Sequence, residues 1–378
     1  MSQLRMLAGL ETQRHMKILN IVGARPNFMK VAPLMRAYAQ FPHIEPLLVH
    51  TGQHYDPKMS QLFFEELGLP RPDFNLEVGS GTHADQTARI MIAFERLCLE
   101  VKPDWVLVVG DVNSTIACAL VASKLGIRIA HVEAGLRSND RTMPEEINRI
   151  LTDAISDLLF VSESSGLVHL GREGVDPGRI HFVGNVMIDS LLAHRDRAEQ
   201  SDVLERLGVA KGQYALLTLH RPSNVDHPET LLGILEALRV VDQDMPIVFP
   251  AHPRTVQRLA EPSMKAAFEG LRQLKMVAPL GYLEFVKATA NAGIVLTDSG
   301  GVQEETAVLH VPCLTLRENT ERPVTCTMGT NRLVGTSPAR IIEGYRAVCR
   351  GEVNLDAVPP LWDGKAADRV VEILASVG

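Results

Sequence analysis

The stretch Leu296-Thr297-Asp298-Ser299-Gly300-Gly301-Val302-Gln303-Glu304-Glu305 constrains the fold of this chain more than any other. An apolar, β-branched run stops at Asp298, small residues follow at 299–301, and Gln303-Glu304-Glu305 opens a helix. A strand, a tight glycine turn and a helix in that order predict half of a βαβ unit. Backbone N–H groups at such a turn face outward together, and the helix dipole adds positive potential, so an anion is the natural guest. Carboxylates just inside the helix can accept hydrogen bonds from sugar hydroxyls. A phosphate beside a diol therefore fits the segment, although an ordinary helix N-cap behind a glycine-rich turn would read the same way.

The same alternation runs through the chain. Strand patterns occur at 17–22, 46–51, 105–109, 127–132, 158–161 and 180–183, each separated by a helix-length segment. A second series occurs at 214–218, 246–249, 274–277, 294–296 and 313–316. Strands alternating with helices predict parallel sheets. At 378 residues the chain is too long for one core, and the stretch 188–212 is polar with little β pattern. These features predict an α/β protein of two doubly wound, Rossmann-like domains facing a cleft, residues 16–190 and 191–378, with an N-terminal extension at 1–15. The last helix is expected to pack back on the first domain.

Charge and composition narrow the function. A net charge of −7 argues against sequence-independent nucleic-acid binding. The five cysteines are widely spaced and odd in number, which fits a reduced, cytoplasmic protein and offers no metal-ligand spacing. No signal-peptide pattern and no apolar run of membrane-spanning length is seen.

Charged residues gather at the predicted strand ends. In the first half, Arg25 in the turn after the first strand and Lys30 on the following helix form a cation pair suited to a phosphate or sugar oxygen. Gly23 stands alone there, so the dinucleotide fingerprint is absent. Asp111 follows the strand 105–109, and Glu133 ends the next one. Glu145 and Glu146 follow Pro144 in a first helical turn, where carboxylates also complement the dipole. Asp111, Glu133 and Glu145 near one cleft would supply general acids and bases. In the second half, His220 and Arg221 end a strand, Phe285 enters a helix, and Arg322 lies on a loop expected near Ser299.

At this point the chain resembles the non-hydrolysing UDP-N-acetylglucosamine 2-epimerases of bacteria and archaea, from Met16 to about residue 375. The resemblance rests on Gly23-Ala24-Arg25-Pro26, Gly110-Asp111, His131-Val132-Glu133-Ala134-Gly135-Leu136-Arg137, Pro144-Glu145-Glu146-Ile147-Asn148-Arg149, His220-Arg221, Thr297 to Glu305, and Thr320-Glu321-Arg322-Pro323. It implies a fold like that of two-domain nucleotide-sugar glycosyltransferases, a UDP-N-acetylglucosamine substrate, a homodimer, and a place in polysaccharide biosynthesis. No cofactor, metal, nucleic-acid or membrane partner is implied.

Carried over by residue, the resemblance makes Asp111, Glu133, Glu145 and His220 catalytic. Arg25, Lys30, Arg149, Arg221, Phe285, Ser299, Gly300, Gly301, Glu305 and Arg322 would bind the substrate, Glu305 at the ribose hydroxyls. Gln53, His54 and Arg137 resemble parts of the family's second, allosteric site. The family's first loop usually reads Gly-Thr-Arg-Pro-Glu, whereas Ala24 and Asn27 stand here, and Val112 replaces the usual Thr. The activity implied is elimination of UDP to 2-acetamidoglucal and re-addition with C2 inverted. A hydrolysing epimerase, an epimerase of a UDP-diacetamido sugar, a glycosyltransferase of the same architecture and a non-catalytic sugar sensor remain alternatives. Arg141 is the extra cation that a sugar acid would require.

Overall fold

A computed structural model describes residues 15–53 and 66–377. The N-terminal extension before His15 and the predicted allosteric residue His54 lie outside the described residues. The chain divides into two compact units, one of residues 1–162, 166–186 and 365–378, the other of residues 163–165 and 187–364.

The first unit holds a seven-stranded sheet in the order β3-β2-β1-β4-β5-β6-β7. The strands are β1 (Met16–Val22), β2 (Ile44–His50), β3 (Phe74–Asn75), β4 (Trp105–Val109), β5 (Arg128–Ala134), β6 (Leu158–Val161) and β7 (Ile180–Phe182). All neighbouring strands run parallel. A parallel sheet buries both faces, which explains the unbroken apolar run of β4, buried at every residue. The helices α1 (Arg25–Ala37), α2 (His83–Val101), α3 (Asn113–Leu125) and α4 (Pro144–Ile155) follow β1, β3, β4 and β5. Leu19, Ile21, Val106 and Val108 from the sheet meet Ile90, Phe94, Ala117 and Val121 from the helices in one core. The terminal helix, Ala366–Ser376, belongs to this unit and packs against α1.

The second unit repeats the plan with six parallel strands in the order β10-β9-β8-β11-β12-β13. They are β8 (Ala215–Thr218), β9 (Ile247–Pro250), β10 (Leu274–Val277), β11 (Ile294–Thr297), β12 (Cys313–Thr315) and β13 (Asn331–Leu333). After β11 comes α5 (Gly300–Leu309). Leu217, Leu296 and Leu314 of the sheet pack with Leu231, Leu235, Leu238 and Ile341 of the covering helices.

Two stretches differ from the sequence expectation. The polar segment at 188–212 contains the helix Val186–Glu199, whose Ile188, Leu191 and Ala198 are buried while Arg195, Asp196, Arg197 and Glu199 are exposed. The edge strands β3 and β13 were not predicted, because they are only two and three residues long and mix polar with apolar residues.

Both sheets reverse strand order at one point, between β1 and β4 in the first unit and between β8 and β11 in the second. Adjacent loops leave such a point in opposite directions, which opens a crevice at the carboxyl ends of the strands. Gly135, just past β5, packs its backbone closely against Gly166 on the helix that follows β6. It has φ +79°, and a Cβ on it would lie 2.7 Å from the Gly166 carbonyl oxygen. Gly135→Ala should therefore destabilise the protein by at least about 1–3 kcal/mol, read as a lower urea midpoint, and an unchanged midpoint would refute this account of the turn.

Candidate active site

The first unit's site is built at the ends of β1, β4 and β5. Asn27 on α1 ties two of these ends together. Its Oδ1 accepts from the N–H groups of Gly23 and Ala24 at 3.2 and 2.9 Å, and its Nδ2 donates to the Val109 carbonyl at 3.1 Å. This residue replaces the usual glutamate of the family's first loop and serves as a backbone clasp. Arg25 begins α1, and its side chain lies outside what is described.

β5 is not the regular strand that its sequence suggests. Its register against β6 shifts between Val132 and Ala134, and Glu133 between them adopts φ +73°. A side chain other than glycine in the left-handed region stores strain, and a bulge re-aims the side chain it carries. Glu133 is buried, with Oε2 2.5 Å from the Lys30 ammonium. Lys30 also approaches Gly110, where a Cβ would lie 2.8 Å from Nζ and where φ is +66°. Glycine at 110 thus makes room for the cation between the ends of β4 and β5.

Asp111 follows immediately. Arg149 on α4 donates from Nη2 to Asp111 Oδ2 at 2.6 Å and from Nη1 to Glu146 Oε2 at 2.9 Å. Asn148 on the same helix donates to the Asp111 carbonyl at 2.8 Å. Glu146 is buried and accepts the N–H groups of Ser138 and Asn139, both at 2.9 Å. Of the two adjacent glutamates, Glu146 is therefore a loop anchor, while Glu145 is partly exposed at the N-terminus of α4. The first unit thus brings together Lys30, Asp111, Glu133 and Arg149 as two cation–carboxylate pairs. Gln53 and Arg137, expected at an allosteric site, are both buried. Gln53 Oε1 accepts from Ser114 Oγ at 2.6 Å, and Arg137 pairs with Asp153 and Glu173, each at 2.7 Å.

The second unit's site lies at the ends of β8 and β11. The glycines expected to form a turn instead open the helix, because α5 begins at Gly300. Asp298, fully buried, accepts the backbone N–H of Arg221 at 2.9 Å and pairs with His220 Nδ1 at 2.7 Å. Burial opposes ionisation of Asp298, but His220 and these backbone donors outweigh it and hold the carboxyl below its usual range. The His220 side chain is about half exposed, so its other ring nitrogen is accessible.

Beside α5, three guanidiniums converge on one buried carboxylate. Glu321 lies 2.8 Å from Arg317 and 3.3 Å from Arg221. Burial again opposes its charge, yet Arg322, Arg317 and Arg221 together push its pKa far below the usual carboxylate range. Arg322 is itself held by Glu304 at 2.6 Å. It stands near the helix start as expected, since a Cβ on Gly300 would lie 3.9 Å from its guanidinium carbon. The surplus of guanidinium at a helix N-terminus suits a polyanion. Arg317 and Glu321 were missed as site residues; the basic–acidic spacing around Thr320-Glu321-Arg322 was the available signal.

Glu305, one turn and a half into α5, is buried, and its Oε2 has no hydrogen-bond partner among the described residues. Burial, with the neighbouring Glu304 charge, pushes its pKa up to about 8. Phe285 is half-buried on the helix Tyr282–Ala290, which packs against α5.

Two doubly wound units, one carrying buried cation–carboxylate pairs and the other an arginine-rich helix start, define a Rossmann-like α/β enzyme built for an anionic ligand. The family model described as UDP-N-acetylglucosamine 2-epimerase matches residues 36–375. The UDP-N-acetylglucosamine 2-epimerase of Methanocaldococcus jannaschii is 44% identical over 364 residues, 95% of this chain and 99% of that protein. Its crystal structure in complex with UDP-GlcNAc and UDP superposes with a TM-score of 0.87 over 96% of this chain and 100% of that one. The UDP-2,3-diacetamido-2,3-dideoxy-D-glucuronate 2-epimerase of Pseudomonas aeruginosa is 42% identical over 370 residues, 96% of this chain and all of that protein. The chain belongs to the UDP-N-acetylglucosamine 2-epimerase family, a family of isomerases.

Glu305 makes stability depend on pH. Its folded pKa lies above its ordinary value of 4.5, so its contribution is fully present below about that pH and is lost as pH rises through about 8. In Glu305→Gln this decline should disappear, leaving a flatter profile of melting temperature from mildly acidic to mildly alkaline pH. An equal decline in parent and variant would show that other groups cause it.

Proposed function

We propose that this enzyme interconverts UDP-N-acetylglucosamine and UDP-N-acetylmannosamine without net hydrolysis. The observation that carries the reading is the pair of carboxylates at adjacent strand ends, Asp111 and Glu133, each held by a buried cation. Inverting C2 requires proton removal on one face and proton delivery on the other, so at least two acid–base groups are needed. Asp111, Glu133 and Glu145 are assigned to this work.

The second unit takes the nucleotide end. Ser299 and the open N-terminus of α5 receive phosphate, with Arg221 and Arg322 as counter-charges and His220 as a donor. Glu305 takes the ribose hydroxyls, a role supported by its buried oxygen without a protein partner. Phe285 lies beside the base. The same cations stabilise UDP as it leaves.

The step is an anti elimination of UDP followed by its re-addition with protonation on the other face of C2. A carboxylate accepts the C2 proton, the C–H pair becomes the C1–C2 double bond, and the C1–O pair leaves on UDP. UDP oxygen then adds back to C1 while a protonated group delivers a proton to the opposite face of C2. Lys30 and Arg149 hold their carboxylates ionised and oriented until a proton arrives. No cofactor is assigned.

Comparable identity to the Pseudomonas aeruginosa protein supports a second reading, a UDP-diacetamido-uronate substrate, with exposed Arg141 available to a carboxylate. The enzyme is further assigned as a homodimer. Ile92 and Leu99, one heptad apart on α2, are 55% and 59% exposed and offer an apolar strip to a second copy.

The test is proton NMR of the protein with each UDP-sugar in deuterium oxide. Appearance of UDP-N-acetylmannosamine with deuterium at C2 is expected from UDP-N-acetylglucosamine. Free N-acetylmannosamine would establish hydrolysis instead, and turnover of the uronate alone would move the assignment to the second reading. Asp111→Asn and Glu133→Gln should each lower kcat by roughly 10²–10⁴-fold while UDP binding survives. Normal turnover in both would end the acid–base assignment.

A further inference from the structure

We infer that the buried His131–Asp153 pair is a positioning element that fixes Asp111 and Glu133 relative to each other. This inference rests on the acid–base reading of those two carboxylates. It begins from where the backbone ladder between β4 and β5 stops. The pairing ends at Val109 and Val132, and the last backbone bond runs from the Gly110 N–H to the Val132 carbonyl at 3.0 Å. Asp111 and Glu133 both lie just past that point. Glu133 leaves it in a left-handed bulge. Ladder hydrogen bonds therefore cannot set the spacing of the two carboxylates.

A chain of side-chain bonds takes over. His131 and Asp153 are 0% and 1% exposed, and His131 Nδ1 lies 2.7 Å from Asp153 Oδ1. His131 Nε2 lies 2.9 Å from the Gly110 carbonyl oxygen. Asp153 Oδ2 accepts the Gly135 N–H at 3.0 Å and lies 2.7 Å from Arg137 Nη1. The clamp thus runs from the residue before Asp111, through an imidazole and a carboxylate, to the second residue after Glu133. Both ring nitrogens lie at hydrogen-bond distance from oxygens, Asp153 Oδ1 on one side and the Gly110 carbonyl on the other, so the imidazole bridges the two strand ends.

General energetics favour this role over a merely stabilising one. A buried ion pair is a poor source of net stability, since well-packed apolar residues often do as well or better. What apolar residues cannot do is bond a carbonyl on one strand end and an N–H on the next. Neither His131 nor Asp153 has a surface to offer a substrate, so the pair acts through the two carboxylates and not on the reacting atoms.

The test compares Asp153→Asn and His131→Gln with the parent protein. The parent is assayed first: if it converts no UDP-sugar with deuterium entry at C2, the functional reading fails and the clamp is not at issue. With parent turnover established, both variants should lose kcat by on the order of 10²-fold while KM and UDP affinity stay within about threefold. They should also release 2-acetamidoglucal and UDP in greater proportion, because elimination and re-addition depend on different carboxylates. Asp153→Asn has the parent's shape but removes the charge that buried His131 and Arg137 face, so its melting temperature should fall while UDP affinity is kept. Unchanged kcat in both variants would overturn the inference. So would a loss of turnover that merely tracks a parallel loss of UDP affinity and melting temperature. Nitrogen NMR of histidine-labelled parent protein gives a readout that needs no variant: both His131 ring nitrogens should report a hydrogen-bonded environment, and a ring nitrogen without one would equally overturn it.

Discussion

A parallel sheet leaves its strand-end backbone groups without ladder partners, and the chemistry of both units is built on that constraint. Where strand order reverses, the open N–H and carbonyl groups of two adjacent strands face one crevice. Side chains must satisfy what the ladder does not. In the first unit Asn27, His131 and Asn148 do so, reaching the Val109, Gly110 and Asp111 carbonyls. In the second unit Asp298 collects the His220 and Arg221 N–H groups. The residues that finish the sheet are the ones that orient the site.

The two units handle charge differently. The first sets a buried cation against each strand-end carboxylate, Lys30 against Glu133 and Arg149 against Asp111, with Arg149 also holding Glu146. These ion pairs restrict how the carboxylates can move. The second unit instead places Arg221, Arg317 and Arg322 around Glu321. That arrangement keeps a carboxylate ionised under all ordinary conditions and leaves positive charge in excess beside a helix N-terminus. One unit presents carboxylates held by cations, the other guanidiniums gathered around one carboxylate beside a helix N-terminus.

Much of this was legible in the sequence, for reasons that differ by element. The buried central strands announced themselves as unbroken apolar runs, and Asp111, Lys30, His220 and Arg322 stood where those runs end. The short edge strands at 74–75 and 331–333 had no such run to reveal them. The helix Val186–Glu199 hid behind its own solvent face, because the exposed Arg195, Asp196, Arg197 and Glu199 cluster in its second half and mask the buried residues before them. The bulge at Glu133 was invisible because it depends on register against β6, a contact between residues far apart in the chain. Asp153 was overlooked for a related reason: it sits in the last turn of α4, away from any strand end in sequence, and only folding brings it to His131, 22 positions away. Local pattern locates strand ends, but the partners that hold them arrive through tertiary packing.

The terminal helix has a consequence for how the molecule is made. Ala366–Ser376 follows the whole second unit in sequence, yet it packs on α1, and its Arg369 donates to the Val183 carbonyl at 3.0 Å. During synthesis the first unit emerges early but lacks one of its own covering helices until the whole second unit has been made. The second unit, whose sheet is complete by Leu333, can close while the first still exposes the apolar surface that this helix will cover. Vectorial synthesis usually favours the N-terminal unit; here the order of completion is inverted, because a helix made after the second unit completes the first.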